Sequence, residues 1–281
     1  MTNNWWLDFK LKFFKSDSAL LPYIGINTII FILVSLFSLI SFLSGQQGFV
    51  SNLVNEYVAF PASKDLWLTH FYTVISYQFF HADFFHILFN MLWLYWMGRL
   101  FLDFLKPRQF HFVYIAGGIF GAIFFALIYN LLPPYKPFAD VAILIGASAS
   151  VMAIFTALTT LVPNYTLQLL LIGPIKIKYL LAVYIFLDII AIEKFDGGSL
   201  SHLGGAFLGF IYIKLLQSGT DLTKIFERKP KLKVVRNQEP RKSTNTVNQM
   251  EVDAVLDKIS KSGYDKLSKE EKEILFRASK N

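Results

Sequence analysis

Six apolar stretches, most of them long enough to cross a bilayer, govern what this chain can become. They run near Pro22–Ser44, Phe84–Leu105, Phe110–Leu132, Val141–Val162, Tyr179–Ile192 and Leu200–Leu216. A span needs about twenty predominantly apolar residues, which the fifth and sixth reach only with their flanks. Of the 281 residues 54% are hydrophobic and only 17% charged, too little polar surface for a soluble domain of that size. The expected class is an all-α polytopic membrane protein. The 29 Phe, 13 Tyr and 5 Trp suit lipid-facing surfaces and interfacial belts. The chain has no Cys, which excludes disulfides, a thiolate nucleophile and thiolate metal sites.

Basic residues set the expected orientation. Lys10, Lys12 and Lys15 precede the first stretch; Arg99, Lys106 and Arg108 lie around the second and third; Lys176 and Lys178 separate the fourth and fifth. The opposite loops offer only Lys64, Lys136 and Lys194, so both termini are expected in the cytoplasm. The net charge of +7 is accounted for by this bias, and no nucleic-acid partner is expected. With no organelle-targeting segment ahead of the first stretch, a prokaryotic plasma membrane is the expected location.

Four regions follow from these shifts in composition. Residues 1–21 read as a cytoplasmic N-terminal segment, 22–217 as the membrane domain, 218–248 as a flexible basic linker and 249–281 as a helical hairpin. Within the membrane domain, Gly45–Phe80 is too interrupted to span, and its aromatic residues suit an interfacial or partly embedded loop. In the tail, Val252, Val255, Leu256 and Ile259 recur at helical spacing, and Ser268-Lys-Glu-Glu271 forms a capping box ahead of Ile274. Two helices this short bury little core alone, so a cytoplasmic docking or self-association element is expected.

Three polar clusters interrupt the apolar stretches: His81-Ala-Asp-Phe-Phe-His86-Ile-Leu-Phe-Asn90, Gly146-Ala-Ser148-Ala-Ser150 and Ser201-His202-Leu-Gly-Gly205. The predicted topology puts all three on one outer side. Polar groups in lipid are costly unless they face one another, so the clusters mark a site. Ser148 and Ser150 flank the small stripe of Ala149, Ala153 and Ala157 on different sides, so only one of them can face a common pocket. His202 shares a helical face with Gly205, Ala206 and Gly209, and Gly205-xxx-Gly209 is a pair that draws helices together. A histidine on that face meeting a serine-bearing helix is a nucleophile–base arrangement. His86 and Asn90, one turn apart, can aim N–H groups at one oxygen. The bland reading is helix-packing small residues with incidental polar neighbours. A zinc site of His81, His86 and His202 is the other rival, but no Glu is placed as in His-Glu-x-x-His, and no metal is expected.

Together these motifs resemble the rhomboid family of intramembrane serine proteases, in order and across Pro22 to Gln217. The resemblance implies a six-transmembrane-helix rhomboid-like bundle that cleaves transmembrane protein substrates within the lipid bilayer. Ser148 would be the nucleophile and His202 the base, a dyad with no acid partner. His86, Asn90 and the Ser148 backbone would hold the oxyanion, and His81 would support that pocket. No metal or organic cofactor is implied. The family usually has glycine after the serine; here Ala149 adds a methyl where the fourth and sixth spans are expected to touch. The first-loop Trp-Arg pair often seen in the family is also absent, and Tyr72 stands where the tryptophan is expected. The alternative is a catalytically inactive relative that binds membrane clients. A transporter would need inverted repeats and charges through several spans, which the sequence lacks. Asp188, in the fifth stretch, is read as a structural hydrogen-bonding group facing protein or the outer rim.

Overall fold

The structure is a computed structural model, and it describes residues 19–169, 173–194, 197–226 and 248–279. The N-terminal lysines and the basic stretch 227–247 lie outside the described residues. The chain divides into two compact units, 1–227 and 228–281.

The larger unit is helical. Its helices are α1 (Leu21–Leu43), α2 (Phe49–Tyr57), α3 (Thr73–Ser76), α4 (Phe84–Phe104), α5 (Pro107–Leu131), α6 (Ser148–Leu161), α7 (Ile177–Ala191) and α8 (Gly198–Gln217). By length and composition α1, α5 and α8 are each long and apolar enough to cross a membrane. Of α1 only Gly25 and Asn27 are buried, leaving residues such as Ile32, Phe37 and Phe42 exposed. A surface so apolar is stable against lipid and not against water. The buried Asn27 amide satisfies its donors on the Tyr23 carbonyl (2.7 Å) and the Tyr114 hydroxyl of α5 (3.3 Å), fixing where α1 leans on the bundle.

Local chemistry sets the helix starts. The Asp83 carboxylate accepts the His86 backbone N–H at 2.9 Å to cap α4. Pro107 occupies the first turn of α5, and Gln109 reaches back to the Lys106 N–H at 2.9 Å. Helices α5, α6 and α8 pack closely on one another through small residues, with α6 central. Gly117 and Gly121 of α5 abut Ala153 and Ala149, while Gly205 and Gly209 of α8 abut the carbonyls of the same two alanines. This is how small residues let membrane helices approach.

The segment expected as the fourth span begins later than its hydropathy suggests. Residues 141–147 are not helical: β2 (Ile143–Leu144) pairs antiparallel with β1 (Phe60–Pro61), and the Ala62 N–H donates to the Ala142 carbonyl at 2.9 Å. The loop Gly45–Phe80 therefore folds back onto the approach to α6. Its exposed apolar residues include Leu68, Phe71 and Ile75. A second ribbon, β3 (Thr166–Leu169) with β4 (Gly173–Lys176), joins α6 to α7.

At the opposite end of the bundle from Ser148, Asp221 ties the segment after α8 to the start of α5. It accepts from Arg108 (3.0 Å), Gln109 (3.2 Å) and the Thr223 N–H (2.9 Å) and hydroxyl (2.6 Å). Burial works against the charge, but the Thr223 donors and the Arg108 guanidinium win, holding the carboxyl below its usual 3.8. Its stabilisation is complete at neutral pH and is lost as pH falls through the depressed value. Asp221→Asn is expected to lower the thermal midpoint in detergent at pH 7, with the difference from wild type shrinking in strong acid.

The smaller unit has two described helices, α9 (Gln249–Ser262) and α10 (Lys269–Ala278). Ser268 and Glu271 form the capping box at the start of α10, and Lys258 of α9 meets Glu271 at 2.7 Å. Among the described residues its buried apolar side chains are Val255 and Leu267, a small core.

Candidate functional site

Ser148 owes its position to the turn before it. The Gly146 N–H donates to the Tyr77 carbonyl at 3.0 Å, and Gly146 has φ +119°, a backbone that side-chain-bearing residues rarely adopt. A Cβ there would stand 2.6 Å from His86 Nε2. The chain then enters α6 with Ser148 as its first residue. The Ala147 N–H is taken by His81 Nε2 at 3.4 Å. Among the described residues the Ser148 N–H has no acceptor, as expected of a first-turn donor, and it sits at the positive end of the helix dipole.

The two serines separate as their spacing requires. Ser150 is fully buried, and its hydroxyl donates to Gln78 Oε1 at 2.9 Å. Ser148 is half-buried and opens on a cavity of about 490 Å³. His86, Asn90 and His202 line the same cavity, with Phe89, Trp93 and Phe155 among its apolar walls. The structure thus brings four of the sequence-predicted residues to one space.

On α4, His86 Nδ1 faces the Ala82 N–H at a long 3.5 Å. If Nδ1 accepts, the proton sits on Nε2, the nitrogen nearest Gly146. Asn90 donates one amide hydrogen to the His86 carbonyl at 2.9 Å, which leaves the second for the cavity. His81 does not line the cavity. It lies behind it, buried, with its ring edge-on to His86 at 5.0 Å. Burial and the neighbouring His86 push His81 down to about 3, so it is neutral and able to accept from Ala147.

His202 stands on α8 three residues before Gly205 and makes no direct hydrogen bond to Ser148. Such bonds commonly tighten only when substrate is bound. The Ala149 methyl does not lie between α6 and α8 as the sequence suggests. It points at Gly121 of α5, where a Cβ would come within 2.5 Å, and the Ala149 carbonyl is what Gly205 abuts. The extra methyl is accommodated by a third helix.

The carboxylate of Asp188 is where sequence reasoning falls short. Its Oδ1 lies 2.9 Å from His202 Nδ1, and the Tyr184 ring, one turn earlier on α7, lies 6.1 Å from the imidazole. The signal available was an acid buried in an apolar span; its partner, on another helix, was not readable from spacing. Gln78 was missed for the same reason. Among the described residues no three His, Asp or Glu side chains gather as a metal-binding group.

Comparison with known proteins points to a family. The model of the rhomboid domain matches residues 68–218, more than half of the chain. A second model, a family of unknown function (DUF6576), matches residues 242–281. No curated protein matches the chain. With its apolar helices and the match over most of the helical unit, the chain is an integral membrane protein that belongs to the rhomboid family of intramembrane proteases.

Proposed function

We propose that the protein is an active serine endopeptidase that cuts peptide bonds in or near transmembrane segments, with Ser148 as nucleophile and His202 as base. The observation that carries this reading is the single cavity lined by Ser148, His202, His86 and Asn90. Ser148 Oγ attacks the scissile carbonyl and passes its proton to the imidazole. The carbonyl electron pair moves onto oxygen, facing the Ser148 N–H, His86 and Asn90. The C–N bond then breaks, the imidazolium protonates the leaving nitrogen, and water hydrolyses the acyl ester by the same route. A helix hides its carbonyls in internal hydrogen bonds, so substrates with helix-weakening residues near the outer interface are favoured.

The membrane arrangement proposed is six spans, α1, α4, α5, α6, α7 and α8, with both termini cytoplasmic and the cavity towards the outer side. The distribution of Arg and Lys supports it. The setting proposed is a prokaryotic plasma membrane. The tail unit, with little core of its own, is proposed to dock a partner protein or a second copy.

The reading is tested by cleavage of a transmembrane reporter reconstituted with the protein. Ser148→Ala and His202→Ala are expected to abolish turnover while Ser150→Ala, if it folds, retains it. His86→Ala and Asn90→Ala are each expected to lower kcat about 10²–10³-fold, the usual cost of one oxyanion donor. A folded wild type that cuts no reporter and reacts with no serine-directed probe moves the assignment to an inactive client-binding relative.

A further inference from the structure

The Ser–His reading needs an imidazole with a free lone pair facing Ser148, and a neutral imidazole has two tautomers of which only one provides it. What selects the tautomer is the partner of the other nitrogen. Here that partner is a carboxylate: Asp188 Oδ1 is 2.9 Å from His202 Nδ1. Asp188 is 7% exposed, and among the described residues its buried Oδ2 has no partner. An acid so placed in an apolar helix is costly and marks a functional site by default. With Nδ1 committed to Asp188, the nitrogen left for the cavity is Nε2.

We propose that Asp188 is the positioning acid of this centre, holding His202 in the Nδ1-protonated tautomer and stabilising the imidazolium that forms when Ser148 gives up its proton. The centre then works as a Ser–His–Asp relay assembled from α6, α8 and α7, and not as a two-residue dyad. This rests on the assignment of Ser148 and His202 above. The Tyr184 ring, one turn earlier on α7, lies 6.1 Å from the imidazole and tilted 60° to it, so the same helix supplies both neighbours. The remaining partner-free Oδ2 gives the carboxylate spare acceptor capacity. Among the described residues, Asp83, His86 and Tyr184 line the cavity with His202, and Lys194 lies beside Asp188.

The alternative is a purely structural latch between α7 and α8. Asp188→Asn separates the two, because it keeps a carbonyl acceptor in the same volume and removes the charge. A relay predicts that kcat for a membrane reporter falls about 10²-fold or more while KM stays within about twofold; loss of the acid in soluble triads costs about 10⁴. A latch predicts no such split between kcat and KM, only a lower thermal midpoint. Unchanged kcat in Asp188→Asn, with Ser148→Ala and His202→Ala inactive, overturns the proposal alone. If Ser148→Ala or His202→Ala keeps activity, the parent assignment fails instead. Should Asp188→Asn not fold, nitrogen-15 histidine spectra of the wild type decide, with His202 assigned by its loss in His202→Gln. A proton on Nδ1 and a bare Nε2 support the relay; a proton on Nε2 overturns it.

Discussion

Gly146→Ala is expected to leave the helices folded and to cut turnover by about 10²-fold or more. Two effects act together. The φ of +119° belongs to glycine, and forcing a side-chain-bearing residue into such backbone costs about 1–3 kcal/mol. The new Cβ would also stand 2.6 Å from Nε2 and 2.7 Å from Cε1 of His86, so the imidazole must move away from the oxygen it is proposed to stabilise. Loss of one such donor typically costs about 10²–10³ in kcat. If His86 carries the effect, Gly146→Ala in a His86→Ala background adds little, because residues acting as one unit are not additive. Near-normal activity in the single variant contradicts the role given to His86.

The second large effect lies where the helices touch. In Gly205→Ala the added methyl would land on the Ala149 carbonyl, backbone that no rotamer change can move. Overpacking of this kind costs about 1–3 kcal/mol. Ser148 is next to Ala149 and His202 is one turn from Gly205, so the displacement also separates the proposed nucleophile from its proposed base. A misplacement of about 1 Å can cost about 10² in rate. Gly121→Ala instead meets the Ala149 methyl at 2.5 Å and the Ser201 carbonyl at 2.8 Å. Adding Ala149→Gly is expected to recover part of the thermal midpoint lost in Gly121→Ala and none of that lost in Gly205→Ala. Equal recovery in both would mean that the methyl does sit between α6 and α8.

Much of the candidate site was legible because polar residues are conspicuous in an apolar chain. His86, Asn90, Ser148 and His202 stand out by their cost in lipid, and helical spacing relates them within each element. The features that were not legible are non-local. Val141-Ala-Ile-Leu144 continues an apolar run, and hydropathy alone does not distinguish an extended segment from a helix. Only pairing with Phe60 and Pro61 reveals that α6 starts at Ser148, which is what frees the Ser148 N–H. The direction of the Ala149 methyl depends on α5, whose Gly117 and Gly121 read from sequence as ordinary small residues. Asp188 was conspicuous, but its partner was set by the crossing of α7 and α8.

The central claim is that Ser148 is an activated nucleophile. Its most direct test is fluorophosphonate labelling of the detergent-solubilised protein, followed by intact-mass measurement and mapping of the adduct. The account predicts one adduct on Ser148 in the wild type, retained in Ser150→Ala and lost in His202→Ala. An adduct at another serine, or a Ser148 that labels equally without His202, would contradict it.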